Sequence, residues 1–324
     1  MLIWTQKLIF SFSNVLLLLL SLPYCLNADI PDHFKPCPNK ADNHHMKNID
    51  FIYMINLDKR PDRFADCSQR LNPYGIYPYR FSAVNGWELP IEVINDVGLK
   101  YEPWMKSDIM GTYYYMEDDQ IQFAHEVIHV VGRTYFGHCV ARGPIAIVLS
   151  HLSILQDALD SGYETIWVLE DDIEVLRDPN LLSEAIEKLD ALVGKNGWDI
   201  LFTDRDIRKA NGEYNPCYWY ANRPNFTPWD SGLFARRKAV SPDFQKIGAR
   251  WGAHSMVIRR SGIVKLLNFF KVYRIFFPYD MDFIFPSDMY SDIELYTVFD
   301  DIVSNQVDSI SDNAGPSYLN ADSK

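Results

Sequence analysis

Apolar and polar residues alternate along this chain in blocks whose lengths match strands and helices in turn. Residues 50–57 (DFIYMINL) form a short apolar run closed by the polar turn DKRPDR, which reads as a buried first strand. A helix is expected from there through Leu71, ending before Pro73 and Gly75, and a second strand over residues 77–84, closed by Asn85-Gly86. Gly143-Pro144 opens a longer helix in which Ile147, Leu149, Leu152, Ile154 and Leu155 surround Ser150-His151, ending near Ser161-Gly162. Residues 165–175 (TIWVLEDDIEV) follow at once, a buried strand that runs abruptly into Glu170, Asp171 and Asp172. Strand, helix, strand is the opening of an α/β sheet, and that is the fold class expected. Residues 90–138, rich in aromatics and acids, give no firm assignment, and MEDDQ at residues 116–120 reads as a solvated helix start.

With 324 residues, 48% of them hydrophobic, the chain can bury a sizeable core as one large or two smaller domains. Its net charge of −12 argues against a nucleic-acid binder that works by broad phosphate neutralisation. Lys7 precedes an apolar stretch over residues 8–22, and polar chain begins near Asn27-Ala28. That stretch is shorter than a spanning helix needs, so a cleaved signal peptide within residues 1–28 is favoured, with an uncleaved anchor as the alternative because Leu26 is large for a cleavage box. Residues 29–48 read as a polar leader, 49–300 as the folded domain and 301–324 as a tail. Setting Cys25 aside with the leading segment leaves Cys37, Cys67, Cys139 and Cys217, an even set that permits two disulfides in an oxidising lumen. No cysteine or histidine spacing suits a structural zinc. His44 and His45 read as solvated, and Asn225-Phe226-Thr227 is a glycosylation sequon weakened by Pro228.

The chemistry concentrates at strand ends. Three acids cannot stay unpaired in a core, so the 170–172 cluster should emerge at a strand's mouth. Residues i and i+2 of an extended chain face the same way, which lets Glu170 and Asp172 offer hard oxygens to Mn²⁺ or Mg²⁺; a solvated acidic turn is the plainer reading. Asp204-Arg205-Asp206, after the run DILFT, meets the same requirement, so spacing does not separate the two sites. Its acids could instead pair with Arg205 and Arg208, or contact acceptor hydroxyls. Arg60 and Arg63 lie at the mouth of the first strand, where ligands of open α/β sheets bind, and their guanidinium groups suit phosphate. As helix-surface charges they would pair with Asp62 or Asp66. By pattern alone His151 is a hydrogen-bonded, partly buried histidine, and His254 a packed one with a metal or phosphate contact as its alternative.

INLDKRPDR at residues 55–63, AVNG at 83–86, LSHLSI around Ser150 and His151, and VLEDDIEV at 168–175 occur together in an order and spacing that resemble glycosyltransferase family 25. This family includes procollagen galactosyltransferases and bacterial lipooligosaccharide transferases. Later segments extend the resemblance over roughly residues 49–285: WDILF at 198–202, residues 251–267, and Phe277-Pro278-Tyr279-Asp280. It implies a GT-A-like fold with a central, mostly parallel sheet, a UDP-sugar donor, and Mn²⁺ or Mg²⁺. Carried over by position, Glu170, Asp171 and Asp172 become the metal motif. Leu57, Arg60, Arg63, the turn of Ala83, Asn85 and Gly86, and Ser150 with His151 become the nucleotide site. The chain departs from the family pattern at Asn85, where an aspartate is usual, in GPIAI from Gly143, and at Asp204-Arg205-Asp206.

An inverting transfer needs a base for the acceptor hydroxyl, and Asp280 is expected in that role with Asp282 as the alternative; a helix cap or surface acid is the structural reading of either. The function expected is a glycosyltransferase moving galactose from UDP-galactose to a hydroxyl of a protein or glycan acceptor. The expected location is a secretory-pathway lumen, endoplasmic reticulum or Golgi, or secretion. The C-terminal NADSK is not a KDEL-type signal. Two other classes remain: an inactive family member serving adhesion or glycan recognition, to which Asn85 points, and a metal-dependent phosphoester hydrolase, whose histidine-rich clusters are not seen.

Overall fold

The computed structural model describes residues 28–138, 140–218, 222–227, 231–282, 293–309, 311–312 and 315. In chain order the elements are β1 (Phe51–Asn56), α1 (Pro61–Leu71), β2 (Tyr79–Ser82), α2 (Ile91–Val97), β3 (Leu99–Lys100), β4 (Met110–Glu117), β5 (Gln120–Val127) and β6 (Thr134–Gly137). They continue with α3 (Arg142–Asp160), β7 (Thr165–Glu170), β8 (Ile173–Val175), α4 (Leu181–Val193), β9 (Ile200–Phe202), β10 (Arg237–Ala239) and β11 (Phe244–Ile247). The last are β12 (Ser255–Arg259), α5 (Arg260–Tyr273), β13 (Leu295–Val298) and β14 (Val303–Asn305).

Among the described residues the main sheet has eight strands in the order β10-β11-β13-β9-β12-β7-β1-β2. The strands β2, β1 and β7 are parallel, the βαβ opening read from the sequence. β12 runs antiparallel between β7 and β9, so the sheet is mixed. A parallel pair needs a crossover, usually helical. The chain between β9 and β12 instead carries the antiparallel pair β10–β11 at the far edge of the same sheet.

Side-chain alternation splits the core. Tyr53, Ile55, Val168 and Ile258 pack with α3 and α5, while Ile52, Met54, Trp167, Leu169 and Val257 pack with α1 and α4 on the other face. This α/β layering, with its large sheet between helices, is GT-A-like.

The unassigned stretch holds α2 and a second sheet, order β3-β6-β4-β5. MEDDQ is not a helix start. It is the turn of the β4–β5 hairpin, with Asp118 and Asp119 at φ 49° and 58°, the paired left-handed residues that a tight hairpin turn requires.

Residues 29–48, expected as a leader, lie against the fold. Ile30 and Cys37 are buried, Lys35 N–H donates to Ser153 Oγ at 3.0 Å, and Lys40 Nζ is 2.9 Å from both Asp157 oxygens. His44 is not simply solvated, because its Nδ1 lies 2.7 Å from the Tyr77 carbonyl and its ring meets Phe51 and Tyr79 edge-on. The tail returns as well, β14 pairing antiparallel with β8.

The expected pair of disulfides is not formed among the described residues. Cys37, Cys67 and Cys217 sit in three separate hydrophobic clusters, and Cys139 lies outside the described residues. Burial pushes the Cys37 thiol up to about 12 and Cys67 to about 11. The Asn225 side chain is turned inward, donating to the Tyr273 carbonyl at 3.1 Å and accepting from Arg223 at 3.3 Å, so this sequon presents an engaged amide. No helix among the described residues is long and apolar enough to cross a membrane, and the apolar stretch at 8–22 lies outside them.

Candidate functional site

The parallel strands β1, β2 and β7 end at one cleft of about 700 Å³, continuous with solvent. Its walls include Leu57 and Arg63 after β1, Ala83, Asn85, Gly86 and Trp87 after β2, Gly143 and Ser150 from α3, and Glu170 at the end of β7 with Asp171 and Asp172 after it. Most of the expected nucleotide and metal residues are therefore brought together. This is the carboxyl edge of the parallel strands, where α/β sheets bind ligands.

Each acid of the cluster has its own surroundings. Asp171 is turned toward β1, accepting from Asn56 Nδ2 at 2.6 Å with Arg63 Nη1 at 3.4 Å. Glu170 takes a hydrogen bond of 3.1 Å from His151 Nε2. Burial raises the Glu170 carboxyl, but that bond and the charges of His151 and His254 outweigh it, so Glu170 sits below its ordinary range. Asp172 Oδ1 is buried with no hydrogen-bond partner, and burial, followed by the Glu170 charge, pushes its carboxyl up to about 6. An orphaned carboxylate whose charge is opposed by burial and by an ionised neighbour suits a divalent cation, so Glu170 and Asp172 fit that role better than Asp171.

Among the described residues no group of three or more His, Cys, Asp or Glu side chains converges as a metal cage. A cation here would take one or two protein oxygens and the rest from phosphate and water, as Mg²⁺ does at phosphate sites.

The rival acidic pair is engaged by neighbouring side chains. Asp204 is fully buried and ion-paired to Arg250, with His254 Nε2 at 2.9 Å and Ser304 Oγ at 2.7 Å, and Asp206 Oδ1 lies 3.0 Å from Arg237. His254 is thus a packed histidine in this network, while its carbonyl accepts the Glu170 N–H at 2.9 Å. The second pair buttresses the first.

The other expected residues divide. Ser150 lines the cleft, but its hydroxyl donates to the Ala146 carbonyl at 2.8 Å and accepts the Val84 N–H at 2.9 Å, fixing the turn after β2 against α3. His151 is not on the cleft wall. It is fully buried, stacked on Tyr279 at 4.1 Å, and reaches the site only through Glu170. Arg60 is ion-paired to Asp312 at 2.9 Å and, as the helix-surface reading expected, to Asp62 at 3.4 Å. Asn85 Oδ1 accepts the Trp87 N–H at 3.1 Å, capping a short 3-10 turn, Gly86–Glu88. Gly86 presses on the first turn of α3, where a Cβ would come within 2.2 Å of the Arg142 carbonyl.

Asp280 is half-buried, accepts the Gly252 N–H at 2.6 Å, and is raised by burial, a shift that the Gly252 bond opposes and the Glu170 charge reinforces. Asp282, the alternative base, is wholly buried, ion-paired to Arg223, and accepts the Phe277 N–H at 3.2 Å.

Sequence reasoning missed Asn56, Trp87 and Asp312. Asn56 is a buried amide inside an apolar strand, an anomaly that could have marked it. Its Nδ2 also donates to the Arg60 carbonyl at 2.7 Å, and its Oδ1 accepts from Arg80 at 2.7 Å, so one side chain ties the β1–α1 turn to Asp171. Trp87 and Asp312 carry no local signal.

Glycosyltransferase family 25 (LPS biosynthesis protein) matches residues 49–284 of this chain. Glycosyltransferase 25 family members of Aedes aegypti and Drosophila melanogaster are 26% identical over 165 residues and 23% identical over 182 residues. Those alignments cover 51% and 56% of this chain but only 23% and 25% of the relatives. The inactive glycosyltransferase 25 family member 3 of Mus musculus is 25% identical over 159 residues, 48% of this chain and 22% of its own. The chain spans about a quarter of the length of the curated relatives it matches. With a match that begins ahead of β1 and runs past Asp280 and Asp282, the chain belongs to glycosyltransferase family 25.

Proposed function

We propose that the cleft binds a UDP-sugar with Mn²⁺ or Mg²⁺, and that the chain transfers the sugar to a hydroxyl of a protein or glycan acceptor. The observation that carries this reading is Asp172 Oδ1, buried without a partner beside ionised Glu170, in a cleft shared with Arg63 and the first turn of α3. A helix N-terminus and a guanidinium both favour phosphate oxygens. A bound cation would offset the charge that builds on the leaving diphosphate. The proton of the acceptor hydroxyl is assigned to Asp280, whose raised carboxyl makes it a stronger base than an ordinary aspartate. His151 acts through Glu170, holding its carboxylate, rather than touching the nucleotide. The resemblance of its motifs to a family that includes procollagen galactosyltransferases supports galactose as the sugar, and the apolar segment at 8–22 supports a secretory lumen as the location.

A second reading, an inactive member serving in adhesion or glycan binding, is favoured by Asn85 and by the mouse and human relatives named inactive.

Nucleotide release from each NDP-sugar, with and without Mn²⁺, tests both. Wild-type protein should turn over UDP-galactose, and Asp172→Asn should abolish the Mn²⁺-dependent part while remaining folded. Asp280→Asn should keep donor affinity, followed by calorimetry, and lose transfer by about 10²–10⁴-fold. Folded wild-type protein that binds UDP-galactose and turns over no donor would establish the inactive reading instead.

A further inference from the structure

The two arginines at the mouth of β1 already hold an anion, and it belongs to the chain. Asp312 Oδ2 lies 2.9 Å from Arg60 Nη1 and 4.0 Å from Arg63 Nη1. The carbonyl of Asp312 accepts the Trp87 Nε1–H at 3.3 Å. These side chains are only 18%, 14% and 9% exposed for Arg60, Arg63 and Asp312, so this is a largely desolvated pairing rather than a surface contact of the kind that contributes little. Ser311 and Asp312 form part of the cleft wall together with Glu170, Asp171 and Asp172.

The approach of this segment is fixed just upstream. β14 pairs with β8, and the Gln306 N–H donates to the Asp172 carbonyl at 2.7 Å. The tail is thus tethered to the acidic turn before it enters the cleft.

We propose that residues 311–312 are a strap that fills the phosphate subsite with a carboxylate, so that the chain's own tail competes with the nucleotide diphosphate. This rests on the nucleotide-binding reading above. A carboxylate and a phosphate offer a guanidinium fork the same pair of acceptor oxygens. They cannot both occupy Arg60 and Arg63, and a diphosphate placed there repels Asp312. The cleft is acidic apart from these arginines, so releasing Asp312 also removes one of the charges that oppose an anionic ligand. Binding therefore requires the strap to open, and apparent affinity falls by the fraction of molecules that are open.

The test is calorimetric titration of UDP with Mn²⁺ into the full chain and into Asp312→Asn, Asp312→Ala and Arg60→Ala, with melting curves to show that each is folded. Asp312→Asn and Asp312→Ala should bind UDP about tenfold tighter if the strap is closed nine-tenths of the time, and Arg60→Ala should bind it more weakly than wild type. Unchanged or weaker UDP binding by both Asp312 variants, with Arg60→Ala still impaired, overturns the strap and leaves the nucleotide reading standing. UDP binding by none of the four proteins overturns both.

Discussion

Asp172 and Asp204 are the same chemical group, each two residues beyond the end of a buried strand, and the fold gives them opposite surroundings. Burial alone would push the Asp204 carboxyl up, but the charges of Arg250 and His254 outweigh it, so Asp204 sits below its ordinary 3.8. A carboxylate depressed in the folded state adds stability that is present above the ordinary value and is lost as pH falls through the lowered one. Asp204→Asn keeps the shape but leaves Arg250 buried without its counter-charge, so unfolding free energy near neutral pH should fall by about 3–5 kcal/mol. Urea titrations between pH 7 and 3 should show the variant losing less on acidification than the wild type. Equal stability at neutral pH would mean that the Asp204 network is not formed. Period-two spacing made both acidic pairs visible in the sequence because spacing is local. It could not rank them, because the ranking depends on Arg250 and Ser304, 46 and 100 residues away from Asp204.

Elements with a single periodicity were the readable ones. β1, α1, β2, α3 and β7 fall close to their expected places because each has an uninterrupted apolar run or face and a proline, glycine or acidic stop. The β4–β5 hairpin was hidden because aromatics stand on successive positions, Tyr113, Tyr114 and Tyr115, which erases the alternation that marks a strand. Its turn residues, Asp118 and Asp119, imitate the acidic first turn of a helix. The Gly86 turn was legible as a turn, though not as the piece that seats α3. Gly86→Ala should force the 3-10 turn away from Arg142, a clash with backbone rather than with a pliable side chain, at a cost of about 1–3 kcal/mol. Thermal melting should show that loss, and UDP affinity should fall with it because Ala83, Asn85 and Trp87 share the displaced wall. A variant that melts with the wild type and binds UDP normally would show that the seat is not needed.

Both flanks of the family-matched region close onto it, and neither was foreseen, because polar segments without periodicity give no hint of what they cover. At the far side of α3 from its cleft turn, Tyr53 Oη donates to Asp157, which also takes Lys40, and the buried Cys37 lies in the same hydrophobic cluster as Tyr53. Ile30 is only 1% exposed and belongs to the cluster built on α3 and α5, and Asp29 pairs with Arg274 beyond the end of α5. These contacts tie residues 29–48 to the layer that positions Ser150 and His151. Loss of the leader's packing should therefore register in global stability. Ile30→Ala removes apolar volume from that cluster without touching the cleft, so unfolding free energy in urea should drop by about 2–5 kcal/mol. A passenger leader would instead give a change within about 0.5 kcal/mol, the range of ordinary surface substitutions. UDP binding by the still-folded Ile30→Ala protein should match the wild type, because the leader supports α3 from behind and contributes no residue to the cleft wall.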